Sequence, residues 1–160
     1  MNNLKYKWYK LKYNNLNRGN VIEFNLVGKT RYCKVVDIID AQKCMIIMDM
    51  FGDTYKWTLR LDGYKTHILS DIIKLSEHHN KILLSSQSAR AYDFFGKLIK
   101  ASTKNIFKLH ITGFDKVGNL LGYLYYPKHS YSDSISLNEL MIINGYGVEC
   151  NNLYNTQIHQ

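Results

Sequence analysis

From Val21 onward, most hydrophobic positions fall into short runs with a period near two, bounded by glycines and polar turns. VIEFNLV (21–27) and RYCKVVDII (31–39) carry β-branched residues over strand-like lengths on either side of Gly28-Lys29-Thr30, which predicts two strands and a tight turn. The next run, KCMIIMDMFGDTYKWTLRL, divides at Phe51-Gly52-Asp53. A turn glycine beside an Asx-type side chain there predicts a hairpin, roughly 44–50 with 54–61. Residues 62–84 are mixed: Gly63 opens a loop, and IIKLS and KILLS are too short to fix a state.

The period then changes. Between Ser85 and Ser102, Ala91, Phe94, Phe95, Leu98 and Ile99 fall at i, i+3, i+4, i+7 and i+8, with Arg90, Lys97 and Lys100 off that stripe, so the segment predicts an amphipathic helix. NIFKLHIT (105–112) and LLGYLYY (120–126) return to strand patterning around the polar turn DKVGN. Ser136 with Glu139 forms a capping-box pattern for the helix LNELMII, which is expected to stop at Asn144-Gly145. The order of strands, helix, strands, helix, with antiparallel turns throughout, predicts a small Greek-key barrel with helices packed on it.

A chain of 160 residues suffices for one domain with a full core. The expected division is a basic aromatic arm (1–20), one domain (21–150) and a polar, frayed tail (151–160). Hydrophobic residues make up 46%, with 13 tyrosines, which excludes disorder of the whole chain. No apolar run approaches membrane-spanning length, and the N-terminus alternates lysines with aromatics where a secretory signal needs an apolar segment. The expectation is a soluble, intracellular protein without a membrane or small-molecule partner. Cys33, Cys44 and Cys150 are odd in number and widely spaced, fitting reduced thiols rather than a disulfide framework or a zinc knuckle.

The net charge of +8 is uneven, because Lys5, Lys7, Lys10, Lys12 and Arg18 stand in residues 1–20 without an acid. Lysines interleaved with Tyr6, Trp8, Tyr9 and Tyr13 could hold phosphates by charge and stack rings on bases. Lys5, Lys7, Trp8, Lys10 and Lys12 are therefore nucleic-acid-binding candidates. The plainer reading is an edge strand or arm with solvated lysines and aromatics packed on the domain.

The C-terminal third carries a resemblance. Asp115-Lys116-Val117-Gly118-Asn119, then LLGYLYY, then Leu137-Asn138-Glu139-Leu140-Met141 and Gly145-Tyr146-Gly147 look like the closing turn, strand, helix and turn of staphylococcal nuclease-like (thermonuclease) proteins. The helix with Ala89, Ala91, Phe95 and Leu98 is similar to that family's first helix. The resemblance covers about residues 31–150 in order. It implies an α+β, mainly β fold: an OB-type five-stranded barrel with two or three helices.

It also implies a site and shows what the site has lost. Such nucleases hold calcium with carboxylates, activate water with a glutamate, and neutralise the phosphate with two arginines. Against the family's Asp-Gly-Asp-Thr this chain reads Asp40-Ala41-Gln42-Lys43, putting Gln42 in place of a metal ligand. Against Arg-Leu-x-Gly-Ile-Asp-x-Pro-Glu it reads Arg60 to Ile68, which keeps Arg60 but places Lys65 at a second metal carboxylate and Ile68 at the general base. The second arginine becomes Asn119. A lysine at a metal site repels a divalent ion, and isoleucine cannot accept a proton. The implied protein is a pseudoenzyme with its calcium site lost and no cofactor.

Two further motifs have plain readings. Gly52-Asp53-Thr54 echoes the missing carboxylate motif but lies in a hairpin turn, and Glu77-His78-His79 lacks companions at ligand spacing. Arg60 either contacts phosphate or pairs with Asp62 or Asp115. The leading expectation is a non-catalytic binding module for nucleic acid or an assembly partner, using the old barrel face, with Arg60 and Lys65, and the basic arm. The alternatives are a structural component of a virion or other large assembly, and a residual calcium-dependent nuclease. Composition rich in Asn, Ile, Lys and Tyr suggests AT-rich coding, which together with reuse of an enzyme fold suits a large DNA virus.

Overall fold

The computed structural model describes residues 3–17, 19, 24–66, 78–127 and 135–150. After a helix α1 (Asn3–Tyr13) come β1 (Thr30–Ile38), β2 (Lys43–Met50), β3 (Asp53–Leu61) and a short β4 (Tyr64–Lys65). There follow α2 (His78–Lys100), a 3-10 turn (Thr103–Asn105), β5 (Ile106–Phe114), β6 (Leu120–Tyr125), α3 (Leu137–Ile143) and β7 (Val148–Glu149). Five strands close into a barrel in the order β1-β2-β3-β6-β5, and β4 pairs with β7 beside it. This is an OB-type barrel of mainly β, α+β class.

The β2–β3 hairpin shows how local sequence sets register. Met50 pairs with Asp53, leaving Phe51 and Gly52 as a two-residue loop with φ of 57° and 91°. Positive φ at both central positions is the primed turn whose twist matches the flanking strands. The register then runs unbroken to Lys43 opposite Arg60. Alternation along β2 turns Cys44, Ile46, Met48 and Met50 inward, and Leu59, Leu61, Phe107, Leu109, Ile111, Leu120 and Leu124 complete the interior. Burial pushes the Cys33 thiol up to about 12 and raises Cys44 further, so both stay protonated and inert. Cys33, Cys44 and the half-buried Cys150 are free thiols.

The barrel is closed by one parallel pair. β3 and β6 are parallel, with Leu59, Arg60 and Leu61 opposite Leu120, Leu121 and Gly122. The crossover through α2 and β5 brings the chain back in the same direction, which a tight turn cannot do. α2 buries Ala91, Phe95 and Ile99 and packs Phe94 and Leu98 on the core, as the stripe predicts. It starts at His78 rather than Ser85, so part of the stretch left open at 62–84 is helical.

The α3 cap is formed as patterned. Ser136 Oγ accepts from Glu139 N at 3.1 Å, Ser136 N donates to Glu139 Oε2 at 2.7 Å, and Gly145 follows the helix at φ 75°. This cap aims Asn138 into the parallel seam, where it is 1% exposed. Its Nδ2 donates to Asp62 O at 2.7 Å and Gly122 O at 3.0 Å, and its Oδ1 accepts from Leu124 N at 3.3 Å.

Two expected elements need correction. Of VIEFNLV, residues Phe24–Val27 are not a strand, because both edges of β1 are already taken by β2 and β5. The segment instead buries Leu26 and turns at Gly28, whose N–H donates to Ile111 O at 2.8 Å. The basic arm is a helix over residues 3–13, not an edge strand, and its described side chains, Leu4–Tyr13, are all exposed rather than packed on the domain. The tail 151–160 lies outside the described residues.

Asn138→Ala should remove three hydrogen bonds at a buried seam and leave their backbone partners unsatisfied. A loss of about 2–3 kcal/mol is expected, read as a fall in the denaturation midpoint with an unchanged m-value. An Asn138→Ala protein as stable as the parent would show that the seam holds without its amide clasp.

Candidate functional site

The side of the barrel where β3 leaves toward β4 and the β5–β6 turn projects encloses a cavity of about 920 Å³. Gln42, Arg60, Lys65 and Asn119, four of the five positions singled out as a degenerate site, line it together. Ile68, the fifth, lies outside the described residues. Positions up to 77 residues apart in sequence are thus brought to one place by the β2–β3 register and the parallel β3–β6 pair.

The replacements have structural work of their own. Gln42 is 4% exposed. Its Nε2 donates to Leu61 O at 3.3 Å and to Tyr64 O, and its backbone N–H donates to Asp40 Oδ1 at 2.7 Å. Two carbonyl partners fix the amide with its nitrogen toward them. The clasp is completed by Leu61 N donating to Gln42 O at 2.8 Å and Tyr64 Oη donating to Ala41 O at 2.6 Å. Asn119 braces the β5–β6 turn, donating to Asp115 from its side chain at 2.8 Å and its backbone at 2.9 Å.

Charge in the cavity is asymmetric in its commitments. Lys43, Arg60, Lys65 and Lys116 face it with the carboxylates of Asp62 and Asp115. Both acids are held within the fold. Asp62 accepts from Thr112 Oγ1 at 2.7 Å and from Gly63 N at 2.8 Å. Asp115 accepts from Asn119 and from Val117 N at 3.0 Å. Burial pulls Asp115 upward, but the Asn119 side chain, the Asn119 and Val117 N–H groups and the nearby Arg60 charge outweigh it and hold the carboxyl below its ordinary value. Arg60 acts on Asp115 through the field alone, since among the described residues its guanidinium has no hydrogen-bond or ion-pair partner. Lys43 reaches Asp40 at 3.7 Å across an exposed pair, which contributes little.

Lys43 stands directly opposite Arg60, and like charges so placed across a strand pair are destabilising. The unbalanced cations of this cavity would be offset by an anion. Lys43 and Lys116 were not among the residues singled out from sequence. Lys43 is derivable from the two-residue hairpin loop, since pairing Met50 with Asp53 forces 43 opposite 60. Lys116 had no signal beyond its place in the DKVGN turn.

This donor set does not fit a divalent cation. The Gln42 amide is turned to carbonyl oxygens, Lys65 brings positive charge, and both lining carboxylates are committed. Among the described residues, no three His, Cys, Asp or Glu side chains are grouped as a metal would need. Gly52-Asp53-Thr54 sits at the exposed hairpin tip, where Thr54 Oγ1 donates to Asp49 at 2.5 Å, and it does not line the cavity. His78 and His79 open α2, and Glu77 lies outside the described residues. Lys5, Lys7, Trp8, Lys10 and Lys12 belong to α1 and take no part in the cavity.

No protein-family model matches the chain, and no curated protein matches it. Chains of solved structures match it. One is the human TDRD1 extended Tudor domain in complex with a symmetrically dimethylated peptide, at 12% identity over 92% of this chain and 79% of that chain, with a TM-score of 0.36. At that identity and score, nothing about ligands passes from that protein to this chain.

Gln42→Glu should place a carboxylate against two carbonyl oxygens in a buried site, raising its folded pKa above the unfolded glutamate value. The variant is then least stable at neutral pH, by about 2–3 kcal/mol, and recovers as pH falls from its raised folded pKa toward about 4.3, below which the carboxyl is protonated in both states. Urea titrations across pH check this, and a pH-independent loss would mean that the amide clasp is not what Gln42 supplies.

Proposed function

We propose that the chain is a nuclease-like OB domain without phosphodiester-cleaving chemistry, acting as a binding module that takes the phosphate backbone of nucleic acid into the Arg60 cavity without a metal. The observation carrying this reading is the convergence of Gln42, Arg60, Lys65 and Asn119 on a cavity whose acids are held by the fold and whose Arg60 is unpartnered among the described residues. Fixed cations take the place that a bound ion occupies in the nucleases this chain resembles, so phosphate contact needs no metal. Hydrolysis is a different matter. It needs a base beside the water, and neither Gln42 nor Lys65 offers a carboxylate for one. The resemblance supplies isoleucine at the base position, Ile68.

Binding of labelled single- and double-stranded DNA and RNA, followed by anisotropy at stepped salt, tests the proposal. Expected are affinity that falls with salt, indifference to chelator, and a salt slope reduced by about 1 in each of Arg60→Ala and Lys65→Ala. No binding at low ionic strength would refute the nucleic-acid reading. Calcium-dependent plasmid cleavage that disappears in Arg60→Ala would establish a residual nuclease instead.

A second reading, a protein-contact component of a larger assembly, has one observation in its favour. Phe51 sits in the left-handed region at φ 57° and is 82% exposed, with the 59% exposed Phe24 ring 5.6 Å away. A bulky ring is a costly choice for a turn position where asparagine is preferred, and exposed aromatics suit protein interfaces. Phe51→Asn should therefore raise the stability of the free protein by about 1 kcal/mol in thermal unfolding. A fall in Tm would show that the ring holds the hairpin, removing this support.

A further inference from the structure

α1 presents four stripes to solvent. Leu4, Trp8 and Leu11, at i, i+4 and i+7, form an apolar line, with Leu4 and Leu11 nearly 80% exposed. Lys5 and Lys12 flank it on one side and Lys7 with Lys10 on the other. Tyr6, Tyr9 and Tyr13 lie opposite, with the Tyr9 and Tyr13 rings stacked at 5.7 Å. The helix contains no acid, and Lys12 Nζ sits 4.8 Å from the centre of the Trp8 ring. An 11-residue helix whose described side chains are all exposed is marginal in water, so a surface that covers its apolar line would stabilise it.

We propose that α1 is an interfacial helix that lies on the surface of an anionic lipid bilayer, burying Leu4, Trp8 and Leu11 while the lysines reach the headgroups. The occupant is chosen by what each candidate would use. A nucleic acid would engage the lysines and rings but leave Leu4 and Leu11 in water. A bilayer boundary accepts the apolar line, gives Trp8 its preferred depth, and lets lysine stems cover apolar surface with ammonium groups among anionic headgroups, while the tyrosine face stays toward water. Among the described residues no helix is long and apolar enough to cross a membrane. The expectation of no membrane partner rested on that kind of absence, and a helix lying in the interface plane needs no spanning segment. The proposal is independent of the Arg60 cavity, since no α1 residue lines it.

The test uses the full chain with Trp57→Phe, so that Trp8 is the sole tryptophan, and vesicles of phosphatidylserine with phosphatidylcholine or phosphatidylcholine alone. Expected are co-sedimentation and a blue shift of Trp8 emission with the anionic vesicles, both reduced about tenfold in apparent affinity by Leu4→Glu with Leu11→Glu. Changing the four lysines to glutamine should abolish the preference for anionic vesicles. The substituted α1 side chains are exposed, so relative to the Trp57→Phe parent the thermal transition of the barrel should not move. Co-sedimentation without a blue shift, or binding indifferent to the leucine substitutions, overturns the proposal. So does a Trp8 response to single-stranded DNA that outcompetes vesicles and survives those substitutions, which would assign the helix to nucleic acid.

Discussion

The parallel pairing of β3 with β6 is the constraint on which the rest of the molecule depends. Without it the strands form an open sheet whose two edges demand other partners. With it, Arg60 is set beside Leu121 and the β5–β6 turn is carried to the same side as the end of β3. A parallel pair has no hairpin to fix its register, so the register must come from elsewhere. Asn138 contributes to it, bonding at once to the residue after β3 and to two residues of β6, beside the backbone bond from Asp62 N to Gly122 O. The Ser136–Glu139 cap orients that amide, so a local helix signal ends by specifying a long-range contact.

The same economy shows in the cavity. Gln42 joins the β1–β2 turn to the residues around β4, and Asn119 closes the β5–β6 turn on Asp115. Both amides stabilise the frame where charged side chains would be available for chemistry. The lining carboxylates are likewise consumed by Thr112, Gly63, Asn119 and Val117. Lys43, Arg60, Lys65 and Lys116 outnumber the two hydrogen-bonded carboxylates around the open volume, which is also lined by apolar side chains such as Phe114 and Leu121, and Arg60 is unpartnered among the described residues. An excess of cations of this kind would attract anions by field and specify little about them beyond charge.

Much of the fold was legible because its signals are local. The β2–β3 hairpin, the stripe of α2, the β5–β6 pair and the capped α3 rest on contacts within a few residues, and each lies where its pattern puts it. The failures were of another kind. Phe24–Val27 has strand composition but no free barrel edge to join, and the β4–β7 pair is two residues long, below what any periodicity reveals. The alternation of lysine and aromatic residues in α1 suggested an edge strand or arm, but the same residues spaced at three and four give four helical stripes.

Sequence by itself determined the class of the domain, its turns and caps, and the residue types at Gln42, Arg60, Lys65 and Asn119. It could do so because periodicity, turn chemistry and capping act over distances shorter than one element. Tertiary structure decided that these residues share one cavity, that the acids beside them are occupied, and that Arg60, among the described residues, is not. Those facts depend on barrel closure and on which hydrogen bonds each polar atom finds there, and neither is written into any one stretch of the chain.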